Sequence, residues 1–169
     1  QNAMPPVFSP HSFELISRSP EQTRRVGMRL GALLQPGDVV GLVGDLGAGK
    51  TTMMQGIASG WGSSDPVSSP TFVLVNMYRR PDELRFYHLD AYRLRGASDA
   101  VDLDLESMFE EGPLVIEWAD RIEAVLPEER IWVELEWLDE TRRQLVFSAH
   151  GEHCQKLLRR FRNQVFGVA

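Results

Sequence analysis

The chain has 169 residues, of which 43% are hydrophobic and 25% charged, a balance that predicts a soluble globular protein able to bury a substantial core. Its net charge of −6 argues against a surface that coats nucleic acid, so no DNA partner is expected. Apolar runs of only a few residues exclude a membrane-spanning helix, and the lone Cys154 excludes an internal disulfide and fits a reducing, cytoplasmic setting.

Residues 4–169 are expected to form one domain, with Gln1-Asn2-Ala3 before Met4 reading as an expression remnant and no secretory signal at the start. Residues 12–16 (SFELI) suit a short strand. Ser19-Pro20-Glu21-Gln22 starts a helix, with a serine N-cap, proline at the first helical position and glutamine at the third. Val26, Leu30, Leu33 and Leu34 follow at helical spacing, and Pro36-Gly37 is the expected stop. Asp38–Val43 is an apolar strand that runs into GDLGAGKTT (44–52). Beyond it Met53, Met54, Ile57 and Ala58 share one helical face, with Gly60 as the expected end. WGSSDPVSSP (61–70) has the composition of a loop.

Phe72–Tyr78 and Leu84–Leu89 read as strands joined by an Arg79-Arg80-Pro81-Asp82 turn. A helix over 99–110 is predicted from Val101, Leu105, Met108 and Phe109, with Ser98 as its N-cap. Leu114–Ile116 suits a strand buried on both faces. Ile131–Trp137 alternates apolar with polar residues and pairs with Leu145–Ala149 in an antiparallel hairpin. Cys154, Leu157, Leu158, Phe161 and Val165 mark a C-terminal amphipathic helix over about 152–166. The sum is an α/β fold of the P-loop NTPase kind, a mixed parallel and antiparallel central sheet flanked by helices.

The nonapeptide contains G-x-x-x-x-G-K-T between a buried strand and a helix, the setting in which that pattern is a site. A triphosphate is a concentrated anion. Glycines let successive backbone N–H groups turn toward its oxygens, and the following helix adds its positive dipole end. Gly44, Asp45, Leu46, Gly47, Ala48 and Gly49 are the expected cradle, Lys50 bridges the β- and γ-phosphates, Thr51 ligates Mg²⁺, and Thr52 reaches the α-phosphate. Hydrolysis needs an acidic group for Mg²⁺ and another that orients water. Glu117, directly after an apolar strand, and Asp90, just past another, are the two candidates. Ser69 and Thr71 belong to a loop of a length that often responds to a γ-phosphate.

Other features suit a solvated surface. His11, His88, His150 and His153 show no zinc-type spacing with Cys154, His150 and His153 read as surface residues, and the basic run Lys156, Arg159, Arg160 and Arg162 reads as an exposed helix face. A small-molecule kinase needs a lid with several arginines, whereas the stretches after the loop are Ser/Pro-rich and acidic, with Arg93 and Arg95 the nearby pair. A guanine-specific switch usually carries N-K-x-D, and the chain has none.

GDLGAGKTT, then SPTF (69–72), YHLDAYRL (87–94) and IEWADR (116–121), resemble in order and separation the TsaE (YjeE) family, P-loop ATPases of bacterial tRNA threonylcarbamoyladenosine biosynthesis. The resemblance covers about residues 12–150. It implies Mg²⁺-dependent ATP hydrolysis, weak alone, whose cycle supports turnover of the partner proteins TsaB and TsaD, with tRNA reached through that complex. It also implies catalytic roles for Lys50, Asp90 and Glu117, metal ligation by Thr51, Asp90 and Glu117, a switch-like loop at Ser69 and Thr71, Trp118 beside the site, and Thr23 near the base.

Overall fold

The computed structural model describes residues 11–67 and 75–167. Among these, seven strands, β1 (Ser12–Ser17), β2 (Val39–Val43), β3 (Val75–Arg79), β4 (Arg85–Asp90), β5 (Leu114–Glu117), β6 (Arg130–Trp137) and β7 (Arg143–His150), form one sheet in the order β1-β7-β6-β2-β5-β4-β3. The four central strands run parallel. The outer strands are antiparallel, with β3 on β4, β7 on β6 and β1 on β7. Parallel strands are covered on both faces, which is why VVGLV and LVIE are almost unbroken apolar runs.

The helices are α1 (Pro20–Gly31), α2 (Lys50–Trp61), α3 (Ala97–Ala100), α4 (Leu105–Glu111) and α5 (Glu152–Val165). One core buries Leu30, Met53, Ile57 and Phe161 of α1, α2 and α5 against Val40, Leu42, Val115 and Phe147 of the sheet. A second core covers the other face with Ala100, Leu105 and Ile122 against Val39, Leu89, Leu114 and Ile116. No helix among the described residues is long and apolar enough to cross a membrane.

The start of α1 follows its sequence signals. Gln22 N donates to Ser19 Oγ at 3.1 Å, and Gln22 Oε1 accepts from Arg18 N at 2.6 Å, so two backbone donors at the helix entry are satisfied. The helix ends earlier than Pro36-Gly37: α1 stops at Gly31, and tight turns from Leu33 N to Leu30 O and Leu34 N to Gly31 O lead out of it.

Gly60 does not stop α2. It lies inside the helix, whose C-cap is Gly62 in the left-handed conformation. The reason is packing. A Cβ on Gly60 would lie 1.9 Å from Met28 O, and one on Gly31 would lie 1.9 Å from Ile57 O. The two helices therefore touch backbone to backbone, which holds the first turn of α1 beside the first turn of α2.

The helix expected over 99–110 is broken. Ala97–Ala100 and Leu105–Glu111 are separated by a 3₁₀ turn at Val101–Leu103 and by Asp104 at φ 52°. Val101, counted on the apolar face, is 66% exposed, and Ala100 is the buried residue instead. Ser98 sits within α3, whose N-cap is Gly96. Asp104 Oδ2 accepts from Ser107 Oγ at 2.7 Å, so the kink is locally bonded. His153 is a surface residue, as expected, and its Nε2 lies 2.8 Å from Oδ1 of the buried Asp38, which ties α5 to the turn before β2.

Candidate nucleotide site

At the end of β2 the chain crosses Gly44–Gly49 and enters α2 at Lys50. Gly44 passes so close to β6 that a Cβ would lie 2.4 Å from Leu135 O. Gly49, at φ 102°, is the N-cap of α2 and offers no side-chain cap. The first-turn N–H groups of α2 therefore remain available to an anion, and the helix dipole favours one there.

The loop borders a cavity of about 440 Å³. Leu46, Gly47, Gly49, Lys50, Thr51 and Thr52 form its floor. Asp90 and Glu117 enter from the ends of β4 and β5, where they are register partners in the parallel pair and so point to one face. Tyr92 and Trp118 stand beside them, Ser19, Pro20 and Thr23 come from the entry to α1, Glu140 and Thr141 from the β6–β7 turn, and Arg143 from the start of β7.

Glu117 is 3% exposed. Its Oε1 lies 3.3 Å from Thr51 Oγ1 and its Oε2 lies 2.6 Å from His88 Nε2. Lys50 donates through Nζ to Gly44 O and Asp45 O, and its ammonium sits 4.1 Å from the centre of the Trp118 ring. Burial lowers the lysine pKa, and the nearby Glu117 carboxylate is the largest charge opposing that shift. Asp90 Oδ1 accepts from Tyr92 N at 2.9 Å. Burial raises the Asp90 pKa above 3.8, the Tyr92 N–H pulls against it, and the Glu117 charge adds to the rise.

Trp118 occupies the left-handed region at φ 58°, a conformation that costs a non-glycine residue about 1–2 kcal/mol. It turns the indole over Lys50 and against Tyr92, whose ring centre is 4.9 Å away. Immediately after the strand that delivers Glu117, the strained residue thus becomes a wall of the cavity.

Thr51 and Glu117 offer the hard oxygen donors that magnesium prefers. Among the described residues no group of three or more His, Cys, Asp or Glu could hold a metal without further ligands. Magnesium takes one or two protein oxygens and completes its shell with phosphate oxygens and water.

A family model for TsaE, "Threonylcarbamoyl adenosine biosynthesis protein TsaE", matches residues 17–145. The chain belongs to the TsaE family. It is similar to the tRNA threonylcarbamoyladenosine biosynthesis protein TsaE of Bacillus subtilis, 38% identical over 139 residues that cover 82% of this chain and 87% of the relative. The Treponema pallidum protein of the same name is 39% identical over 134 residues, 79% of this chain and 98% of the relative. The crystal structure of Bacillus subtilis YdiB superposes with a TM-score of 0.75 at 31% identity, covering 91% of this chain and 96% of that one.

Within this TsaE-family fold the cavity gathers Leu46, Gly47, Gly49, Lys50, Thr51, Thr52, Asp90, Glu117, Trp118 and Thr23. Gly44 and Asp45 face a second hollow on the outer side of the loop, with Leu135 and Trp137. Ala48 is buried at 1% exposure and anchors the loop to the core. Ser69 and Thr71 lie outside the described residues. Thr23 lines the cavity, but its hydroxyl is held 2.6 Å from Ser17 Oγ, which in turn donates to Ser19 O.

Several neighbours escaped the sequence reading. Arg143 lines the far wall and donates from Nε to Gly47 O at 3.1 Å, a contact across 96 residues that no local pattern signals. Ser19 and Pro20 signal only a helix start. His88 carried a usable signal: two residues before Asp90 on a strand, it had to share that residue's face.

Proposed function

We propose that this chain is the Mg²⁺-dependent ATPase of tRNA threonylcarbamoyladenosine formation, the modification at the adenosine next to the anticodon. Its ATP cycle serves the TsaB–TsaD complex, and tRNA is engaged through that complex. The observation that carries the chemistry is the approach of Thr51 Oγ1 to Glu117 Oε1 at the mouth of the phosphate loop. The names of the relatives support the pathway.

In this reading the first-turn N–H groups of α2 and the Lys50 ammonium bind the β- and γ-phosphates, and Thr52 reaches the α-phosphate. Thr51 and Glu117 would hold magnesium, with Asp90 close by on the adjoining strand, and the ion would supply charge neutralisation for the phosphate oxygens. Asp90, fixed by Tyr92 N–H, orients the attacking water and accepts its proton. Trp118 and Tyr92 shield this end of the cavity from bulk solvent. The lone buried Cys154 fits work in the cytoplasm.

A small-molecule kinase is the second reading. Of the described residues lining the cavity only Arg143 is an arginine, whereas phosphoryl-transferring lids close several over the phosphate. Mixing the protein with TsaB and TsaD separates the two readings. ATP-dependent complex formation and stimulated hydrolysis are expected. Partner-independent hydrolysis with phosphorylation of a small metabolite would overturn the assignment.

A further inference from the structure

His88 is fully buried on β4, 0% exposed, and its ring connects Glu117 to β3 at the sheet edge. Nε2 lies 2.6 Å from Glu117 Oε2, and Nδ1 lies 3.1 Å from Tyr78 Oη. Asn76 Nδ2 donates to that hydroxyl at 3.4 Å. Asn76 and His88 are cross-strand partners, and Tyr78 follows two residues on, so all three share one face of the sheet.

The donor inventory orients the chain of bonds. A carboxylate only accepts, so Nε2 carries a proton directed at Glu117 Oε2. The Tyr78 hydroxyl, which accepts from Asn76, shares a hydrogen bond with Nδ1 and backs the ring from the other side. One oxygen of Glu117 is thereby committed to His88 and the other is left beside Thr51 Oγ1. A carboxylate with one oxygen anchored cannot rotate away from the loop without breaking a buried hydrogen bond.

We propose that His88, backed by Tyr78 and Asn76, is a positioning residue for turnover: it fixes the Glu117 carboxylate so that Oε1 faces the magnesium side of the nucleotide site. The inference rests on the role given to Glu117 above. Outer hydrogen-bond partners of ligating groups typically contribute 10- to 100-fold to metal affinity or activity, and a loss in that range is expected here.

The test compares His88→Leu, which removes the donor, with His88→Gln, whose amide restores one at a similar reach. His88→Leu should bind ATP in the absence of magnesium as the wild type does, and should hydrolyse it with TsaB–TsaD about 10- to 100-fold more slowly. His88→Gln should recover most of that loss. In a Glu117→Gln background, His88→Leu should cost nothing more, because the group it positions is already disabled.

Proton NMR of the metal-free, nucleotide-free protein supplies a second readout. A downfield imidazole N–H resonance should be present in the wild type and absent from Glu117→Ala. Tyr78→Phe, which deletes only the supporting hydroxyl, keeps the test open if His88→Leu does not fold; it should lower turnover at unchanged ATP affinity. Wild-type turnover in His88→Leu or Tyr78→Phe, or an equal further loss in the Glu117→Gln background, would overturn the positioning role and leave the ATPase reading standing. A wild-type protein without ATPase activity would overturn both.

Discussion

Thr51 Oγ1 on the first turn of α2 lies 3.3 Å from Glu117 Oε1 at the end of β5, joining residues 66 positions apart. The contact arises because β5 is the parallel neighbour of β2, so both strands deliver their C-terminal ends to the same edge of the sheet. Glu117 is nearly buried, and a charged group there is tolerated because both oxygens have partners.

Glu117→Ala should therefore separate binding from turnover. In the proposed reading the loop backbone and Lys50 engage the triphosphate without Glu117, so ATP affinity should stay within a few-fold of wild type. Hydrolysis should fall on the order of 10²-fold or more. Equilibrium binding and steady-state kinetics on one preparation check it, and normal hydrolysis by Glu117→Ala within the TsaB–TsaD complex would remove Glu117 from the mechanism.

As the proposed base for the attacking water, Asp90 should set the acid side of the pH profile. Its folded pKa is raised by burial above 3.8, so turnover should decline with acidification at a higher pH than an ordinary carboxylate would dictate. The sign for stability is opposite in direction. The folded state holds this proton more tightly than the unfolded chain, so stability falls as pH rises from 3.8 through the raised value and is level above it. Asp90→Asn removes that loss and should be neutral to stabilising at pH 7 while abolishing most turnover. Thermal melts at several pH values test the first statement and kinetics the second.

The backbone contact between α1 and α2 predicts an asymmetry among glycines. Gly31→Ala drives a Cβ to 1.9 Å from Ile57 O, and the helices must part. A loss of about 3 kcal/mol is expected, at the upper end of overpacking effects. Gly96→Ala meets nothing within 4 Å at an extended backbone and should stay within about 0.5 kcal/mol of wild type. Chemical denaturation of the two variants gives the comparison directly.

Cys154 should be inert in the folded protein. It is 2% exposed, and burial, with Asp38 and Glu129 nearby, pushes its thiol pKa up to about 12. A thiol reagent at pH 8 should label it only at the rate of unfolding, and rapid stoichiometric labelling of native protein would contradict the packing of α5.

The placement of the glycine-rich loop, Asp90 and Glu117 around one cavity was legible because each depends on a local signal: an apolar strand, a glycine-rich turn, and a carboxylate where such a strand ends. Gly60 shows where local signals fail. A glycine near the end of a helical pattern looks the same whether it caps the helix or admits a neighbouring backbone, and only the approach of Met28 O distinguishes them. The 99–110 segment failed differently, since its spacing counted Val101 as buried and Asp104 breaks the helix. The far wall of the cavity was invisible because Arg143 reaches Gly47 from β7, two strands away from β2 in the sheet and 96 residues further along the chain.

The most direct test of the account is ATP hydrolysis by the wild-type protein and by Lys50→Ala, each with and without TsaB and TsaD. The account predicts weak hydrolysis by the wild type alone, clear stimulation by the partners, and neither nucleotide binding nor hydrolysis by Lys50→Ala. Hydrolysis indifferent to the partners, or retained by Lys50→Ala, would contradict it.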